Sequence, residues 1–364
     1  MTFVRPKPYL ERVWRMPHSV ATREGMELMD RNERTIDFPP AVMQDLRERI
    51  TPFVLRAYPE PGALYDKLAS WLKLPKEMVL LTMAADGGLK AIFEVFVEPG
   101  DEVISVSPSY LMYPVYCGMY GAVSQEVQFD DAHTLSIERI VERISEKTKL
   151  VVLANPNQPI ERVYDDAEVH ALLEACVKHD ALLVMDEAYH HFCPKTAVPF
   201  LQEYGNLVVV RTFSKAFGIA GVRLGYTISR PENIVHLSKI RPIYEVHSLA
   251  IAIGMYLLDH DGLMTSYVTE VKGTMAFLVE AFRRMGFPAS GQWSNSILVP
   301  LPADLPGKEI AEALKRRRFL IRAESKAPLS NHLRITVGTR EQAQRFLSAV
   351  EDVLAERKAQ AVSR

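Results

Sequence analysis

Runs of consecutive apolar residues alternate with helical patterns through the first two thirds of the chain. The clearest runs lie at 149–155, 181–187 and 206–212, and each of them ends in polar or charged residues. Buried parallel strands with helices on both faces show this near-continuous apolar pattern. Weaker signals predict strands at 101–106 and 122–127 and helices at 41–50, 62–73, 87–97, 110–120 and 136–145. The pattern therefore predicts an α/β fold in which a mostly parallel sheet is sandwiched by helices.

The rhythm changes after residue 240. One long helical stretch at 247–285 precedes short strands at 296–300, 318–322 and 333–338 and helices at 307–318 and 340–357. This mixture predicts a smaller α+β domain, while prolines such as Pro6 and Pro39 block long helices near the start of the chain. We therefore predict an N-terminal arm (1–40) that packs on the small domain, a large domain (41–245) and the small domain itself (246–364).

The composition narrows the class of protein. Among 364 residues, 43 Lys and Arg nearly balance 45 Asp and Glu, which leaves a net charge of −2 and argues against a nucleic-acid partner. The most apolar stretch, 249–258, is far shorter than the roughly 20 residues that cross a bilayer, so no membrane partner is expected. Three scattered cysteines predict no disulfide framework. A reducing compartment, the cytoplasm, is the expected location.

Polar residues gather where the predicted strands end. Asn155, Asp186 and Thr212 occupy these ends, and Lys215 follows closely. Ligands of open α/β sheets bind at the carboxyl ends of the strands. We therefore expect these side chains to belong to one binding site.

The densest chemical signal is the string RTFSKAFGIAGVRLGY, residues 211–226. Its hydroxyls and Arg223 suit a phosphate, because they provide directed donors and a bidentate fork. Lys215 is either a point charge or a Schiff-base nucleophile. A glycine-rich loop with a surface lysine is the alternative, and it explains a single pair of these residues better than the whole string.

This string resembles the lysine motif of the class I/II aminotransferases, which use pyridoxal phosphate (PLP), and in particular that of the histidinol-phosphate aminotransferase group. Further stretches fit the family in the same order: YPEPG (58–62), EPGDEV (98–103), PSYLMY (108–113), NPNQP (155–159), MDEAY (185–189) and LRITVGT (333–339). The resemblance extends over about 30 to 350 and implies the fold-type-I architecture, a PLP cofactor and a homodimer.

By this resemblance, Lys215 would bind the cofactor covalently and then move the substrate's α-proton as general base and acid. Asp186 would stabilise a protonated ring nitrogen, Tyr189 would donate to the phenolic oxygen, and Tyr110 would stack on the ring. A helix cap or structural ion pair is the alternative for Asp186. The alternative for Tyr189 is a half-buried tyrosine bonded to backbone, and for Tyr110 it is an ordinary core aromatic. His190 and its acidic neighbours include metal-ligand types, but a cofactor role for Asp186 leaves no metal site predicted.

The resemblance also implies a phosphate site. Hydroxyls, a guanidinium and the backbone amides of a helix N-terminus would bind the phosphate, from Thr212, Ser214, Arg223, Ala85 and Asp86. The family usually has Gly-Ser-Asp where this chain has Ala-Ala-Asp at 84–86, a change that removes a hydroxyl and keeps the backbone. Tyr58 would reach the phosphate of the neighbouring subunit, so that the homodimer has two composite sites.

Two arginines are the predicted substrate-binding cations. Arg334 matches the arginine that binds the substrate carboxylate bidentately, although a strand arginine can simply face solvent. Arg322 matches one that helps to hold a distal phosphate in the histidinol-phosphate group. Together they favour glutamate as amino donor or an anionic group beyond the α-carboxylate. Asn32 and Glu33 would line the pocket, with a structural role as the alternative.

One departure from the family pattern concerns the phenolic oxygen. Where the family has NPNNPTG, residues 155–161 are NPNQPIE, so Gln158 replaces an asparagine that bonds this oxygen. The glutamine amide has a longer stem, so we expect the contact to survive with shifted geometry.

The leading hypothesis is a PLP-dependent aminotransferase acting on an amino acid and a 2-oxo acid or phosphorylated carbonyl acceptor. The alternatives are a decarboxylase, lyase or cyclase on the same scaffold and a non-catalytic cofactor-binding sensor.

Overall fold

A computed structural model describes residues 4–15 and 23–362. Its strands are β1 (Glu27–Met29), β2 (Val79–Met83), β3 (Glu102–Ser107), β4 (Val123–Gln128), β5 (Thr148–Ala154), β6 (Leu182–Asp186), β7 (Leu207–Thr212), β8 (Leu224–Ser229), β9 (Ser296–Pro300), β10 (Phe319–Glu324) and β11 (His332–Thr336). Its α-helices are α1 (Pro40–Glu48), α2 (Pro52–Arg56), α3 (Gly62–Leu72), α4 (Ala84–Phe96), α5 (Met112–Tyr120), α6 (Glu138–Val141), α7 (Asp166–Lys178), α8 (Pro231–Ser238), α9 (Ser248–Asp259), α10 (Gly262–Arg284), α11 (Gly307–Arg316) and α12 (Arg340–Val362). Short 3₁₀ helices lie at Pro8–Arg12, Lys76–Met78, His190–Phe192, Val198–Gln202 and Ala220–Val222. Within these ranges, no helix combines the length and apolar character that a membrane span requires.

The larger sheet has seven strands in the order β2-β8-β7-β6-β5-β3-β4. Its pairs are parallel except that β8 runs antiparallel to both β2 and β7. Alternate residues of β5 enter different hydrophobic clusters, Val151 and Leu153 on one face and Leu150 and Val152 on the other. Because successive strand residues point to opposite faces, both faces of the sheet are covered. This arrangement explains the continuous apolar runs, and it confirms the predicted α/β class.

The smaller sheet has the order β1-β10-β11-β9, in which only the β1–β10 pair is parallel. Strand β1 comes from the predicted N-terminal arm, so this part of the arm pairs with the smaller sheet. Residues 1–3 and 16–22 of the arm, and 363–364 at the other end, lie outside the described residues.

Two of the predicted helices differ clearly from those in the structure. Only one turn, α6, forms in the predicted helix at 136–145, and the predicted stretch at 247–285 is broken into α9 and α10. The junction is tied to α3, since Trp71 donates its indole N–H to Asp261 at 2.9 Å. Tyr256 and Leu257 of α9 pack in the core of the larger sheet. The change of packing therefore comes at α10, later than the predicted boundary at 245/246, and the three-part division remains a proposal.

Candidate active site

Three neighbouring strands of the larger sheet bring their carboxyl ends to one edge. Ala154 at the end of β5 lies beside Asp186 at the end of β6. The N–H of Asn155 donates to the carbonyl of Asp186 at 2.8 Å. Thr212 ends β7, the next strand. The polar residues that follow the apolar runs thus meet at one edge, as the sequence predicts.

The Asp186 carboxylate is buried at this edge. One oxygen accepts from the Tyr113 hydroxyl at 2.9 Å and the other from the N–H of Ala188 at 3.1 Å. Burial raises the pKa of Asp186 to about 6, although both hydrogen bonds act in the opposite direction. An anion in this position is costly unless a positive group neutralises it. The site therefore suits a ligand that presents a protonated nitrogen.

Lys215 faces Tyr189 from the loop after β7. Its Nζ lies 5.6 Å from the centroid of the Tyr189 ring and donates to the carbonyl of Arg31 at 3.1 Å. The Tyr189 hydroxyl accepts from the Asn32 amide at 2.9 Å. Since that bond uses a lone pair of the hydroxyl oxygen, the phenolic proton stays available for a ligand.

Hydroxyls and a guanidinium gather near the start of α4. Thr212 donates to the Ser214 hydroxyl at 2.9 Å, and Arg223 donates to one oxygen of Asp86, also at 2.9 Å. The Tyr110 hydroxyl donates to the other Asp86 oxygen. This donor set, together with amides in the first turn of a helix, fits a phosphate.

The backbone is unusual where the start of α4 meets the residue before β8. Ala84 and Arg223 both adopt left-handed conformations, with φ of +56° and +57°, and the N–H of Ala84 donates to the carbonyl of Arg223 at 3.1 Å. A left-handed residue other than glycine costs about 1 kcal/mol. Ala84 therefore stores strain at a position where the family usually has glycine. A Cβ on Gly225 would lie 2.5 Å from the carbonyl carbon of Ala84. Glycine is therefore required for β8 to pass the start of α4.

Gln158 forms hydrogen bonds with two protein side chains. Its amide nitrogen donates to Glu161 at 3.3 Å, and its amide oxygen accepts from the Ser296 hydroxyl at 3.2 Å. These contacts direct the Gln158 amide towards the smaller sheet, and its bond to a cofactor oxygen stays a prediction.

Glu161 fastens the loop after β5 to the turn before β9. One carboxylate oxygen accepts from the N–H groups of Gln292 and Trp293 at 2.6 and 2.9 Å, and the other accepts from the Ser294 hydroxyl at 2.7 Å. We call this set, Glu161 with 292–294, the Glu161 clasp. Hydrogen bonds to a charged acceptor are stronger than neutral ones. The clasp therefore holds the larger sheet's edge against the smaller sheet.

Replacing Glu161 with glutamine should weaken the clasp, because the new NH₂ group faces donors instead of accepting from them. Glu161 is half-buried, and we expect the free energy of unfolding to fall by about 1–3 kcal/mol, as when a charged hydrogen-bond partner is lost. Urea denaturation measures the change. Glu280→Gln is the matched control, since its partner Arg284 lies at 2.9 Å on an exposed helix face and such pairs contribute only a few tenths of a kcal/mol. Equal losses in both variants would contradict the clasp.

The two predicted substrate arginines lie directly opposite each other on β10 and β11. The Arg334 guanidinium donates to the side-chain oxygen of Asn32 at 2.9 Å and to Glu324 at 3.2 Å. Arg322 approaches the same oxygen of Glu324 at 3.0 Å. Asn32 also bonds Tyr189, so it connects the arginines to the residues around Lys215.

Two predicted site residues make their contacts outside this cluster. Glu33 pairs with Arg23 at 2.8 Å, and the same Arg23 nitrogen also binds Asp30, so the place of Glu33 in the pocket stays a prediction. The Tyr58 side chain is exposed and stacks on Tyr244 with ring centroids 4.3 Å apart. Its predicted role needs a second subunit.

Sequence reasoning missed two residues of the site. Tyr113 lies three positions after Tyr110 in the PSYLMY motif and contacts Asp186. Glu324 lies two positions after Arg322, and residues at this spacing share one face of a strand. The two-residue period of the strand predicts that Glu324 lies on the same face as Arg322. The position of Tyr113, in contrast, depends on how α5 packs. The roles of the individual site residues remain predictions, and the structure supplies their placement.

Comparison with known proteins identifies relatives over nearly the whole chain. The family described as aminotransferase class I and II matches residues 23–350. A histidinol-phosphate aminotransferase of Symbiobacterium thermophilum is 33% identical, over 90% of this chain and 90% of that protein. Another, from Caldanaerobacter subterraneus subsp. tengcongensis, is 30% identical, over 90% and 92%.

The fold matches solved structures of the same group. A histidinol-phosphate aminotransferase from Sinorhizobium meliloti in complex with pyridoxal-5'-phosphate superimposes with a TM-score of 0.86 at 23% identity, over 98% of this chain and 99% of that one. The predicted fold-type-I architecture is thereby confirmed. The family match and the relatives show that the chain belongs to the class I and II aminotransferases, which depend on pyridoxal phosphate.

Proposed function

We propose that this aminotransferase moves an amino group from an amino acid, glutamate or a similar donor, to a 2-oxo acid or a phosphorylated carbonyl acceptor. The observation that carries the proposal is the convergence of three groups: the Lys215 amine, the buried Asp186 carboxylate and the Arg334 guanidinium. An amine, an anion and a carboxylate-binding fork are what transamination of an amino acid requires.

Each of these residues has a separate task. When bound, PLP supplies the electron-withdrawing ring that stabilises negative charge at the substrate's α-carbon. Asp186 would hold a proton at the ring nitrogen, and Tyr189 would donate its free proton to the phenolic oxygen. Lys215 would act as the base that takes the substrate's α-proton and as the acid that returns a proton later in the reaction. Arg334, oriented by Asn32, binds the substrate carboxylate.

The half-reaction tests this proposal. Holoenzyme mixed with a panel of amino donors, and with no acceptor, should release one 2-oxo acid per active site and then stop. A panel without any such release would contradict transamination. Carbon dioxide, or a product that keeps the donor's nitrogen, would support the alternative of a decarboxylase, lyase or cyclase.

We also propose that two chains form a homodimer. Large apolar side chains are exposed near Tyr58, which is 75% exposed, and they include Phe53, Leu55 and Ile243. Exposed apolar groups concentrated in one region are typical of an interface. Tyr58 would then reach the phosphate of the neighbouring site.

The mass in solution should therefore be twice the chain's 41.1 kDa. Leu55→Glu should shift the protein towards a monomer, because a charge would be buried in the interface. Val177→Glu is the control, since Val177 is exposed on α7. A wild-type mass of one chain would contradict the dimer.

The cytoplasm is the proposed location. Cys117, Cys176 and Cys193 are all free and buried. Unpaired thiols are the usual state in a reducing compartment, so this observation supports the proposal.

A further inference from the structure

Glu324 supplies a negative charge that both Arg322 and Arg334 contact. Arg322 and Arg334 are register partners on antiparallel strands, a position in which like charges repel. One oxygen of Glu324 lies 3.0 Å from Nε of Arg322 and 3.2 Å from Nε of Arg334. The Glu324 side chain is only 16% exposed, and that of Arg334 only 15%. Glu324 therefore binds both guanidinium groups in a partly desolvated setting.

The neighbouring residues add no net charge to the group formed by Arg322, Arg334 and Glu324. His332 is the register partner of Glu324, and burial lowers its pKa, so it is neutral at neutral pH. Arg334 contacts the backbone carbonyl of Asp30 at 3.4 Å, while the Asp30 carboxylate pairs with Arg23. Two arginines and one glutamate thus give the pair and its partner a net charge of +1.

We propose that Glu324 determines substrate specificity by matching the arginine pair to a carboxylate monoanion and disfavouring a phosphate dianion. This inference rests on the proposed function, in which Arg334 binds the substrate's acidic group, and it narrows that function to amino and 2-oxo acids. A monoanion neutralises the net charge of +1, with Glu324 still bound to both arginines. A dianion would have to displace Glu324 or approach its negative oxygen.

Both routes for the dianion are unfavourable. A displaced Glu324 carboxylate would lose its partners in a partly buried position, which is costly for a charged group. A retained carboxylate would repel the second negative charge across a few ångströms, where the effective dielectric constant is well below that of water. Specificity then depends on a repulsive element as well as an attractive one.

The test compares two ligands that differ in their acidic group and share one side chain. L-histidine carries a carboxylate and L-histidinol phosphate carries a phosphate, and each is measured as a competitor of the half-reaction with the best amino donor. The wild type should bind L-histidine better than L-histidinol phosphate. Glu324→Gln, which keeps the shape and removes the charge, should improve the inhibition constant of the phosphate by about tenfold and change that of histidine less than about threefold.

Two controls separate charge from folding. Glu324→Asp retains the negative charge and should keep the preference for the carboxylate. Glu356→Gln removes an acidic partner of Arg317 on the exposed surface and should leave both constants unchanged. A merely structural role for Glu324 would shift both ligands equally.

The outcomes distinguish this inference from the proposed function. An unchanged ratio of the two constants in Glu324→Gln, or no competition by L-histidinol phosphate with either protein, would overturn the role of Glu324 while the donor reaction persists. Failure of the wild type to release a 2-oxo acid from any donor would instead overturn the proposed function.

Discussion

Replacing Lys215 with alanine should reduce the release of 2-oxo acid by roughly 10⁴-fold, the upper range for a group that transfers a proton in the rate-determining step. The amine faces Tyr189 and makes one hydrogen bond, to the carbonyl of Arg31. Because it contributes so little to packing, the variant should unfold at the same urea concentration as the wild type. Single-turnover kinetics and urea denaturation measure the two effects.

Two further variants sharpen this prediction. Lys215→Arg keeps the positive charge but supplies a guanidinium that stays protonated, so it should be as inactive as the alanine variant. Lys90→Ala removes an exposed lysine on α4 and should keep full activity. Residual activity above a few per cent in both Lys215 variants would contradict the role of the amine.

Replacing Asp186 with asparagine should lower the turnover rate by roughly 10²–10³-fold, as when one preorganised electrostatic partner is removed from an active site. The carboxylate is buried with Tyr113 and the N–H of Ala188 as hydrogen-bond donors. An amide keeps the size of the side chain but does not hold a proton on the ring nitrogen. Steady-state kinetics with saturating cofactor measure the loss.

The same carboxylate gives the cofactor-free protein a pH-dependent stability. Burial raises the pKa of Asp186 from 3.8 to about 6, so the native state keeps its proton at pH values where the unfolded chain has lost it. The unfolded state therefore binds fewer protons between these values, and the free energy of unfolding falls as pH rises from about 4 to 6. A difference of about two pKa units corresponds to about 3 kcal/mol.

Asp186→Asn should remove this decline, because an amide does not titrate. Urea denaturation of cofactor-free wild type and variant at several pH values from 4 to 7 checks this prediction. The difference between their free energies of unfolding at each pH cancels the contributions of the other titrating groups. Parallel curves for the two proteins would show that Asp186 titrates normally. That result would contradict the buried environment described for the end of β6.

The central sheet and the position of the site were predictable from the sequence for physical reasons. Strands β5, β6 and β7 are buried on both faces, so their apolar runs are continuous and end where polar residues begin. Asp186 and Thr212 mark these ends. Strand β8 was harder to predict, because its first three residues overlap the glycine-rich motif (211–226) and glycine is rare in strands.

Contacts between distant parts of the chain could not be predicted in this way. Glu161 and Gln292 are 131 positions apart, and nothing in either segment identifies its partner. The contacts of Gln158 with Glu161 and Ser296 also join distant segments or depend on the fold of the loop, and its predicted bond to the cofactor stays a prediction. Glu324 differs, since its spacing from Arg322 places both side chains on one face of a strand.

Transfer of nitrogen from donor to acceptor tests the central claim most directly. Holoenzyme is incubated with a ¹⁵N-labelled amino donor from the half-reaction panel and an unlabelled 2-oxo acid, and the products are identified by mass spectrometry. We predict that the label appears in the amino acid formed from the acceptor, and that Lys215→Ala forms none. Label that remains in a donor-derived amine, or that is released as ammonia, would contradict an aminotransferase.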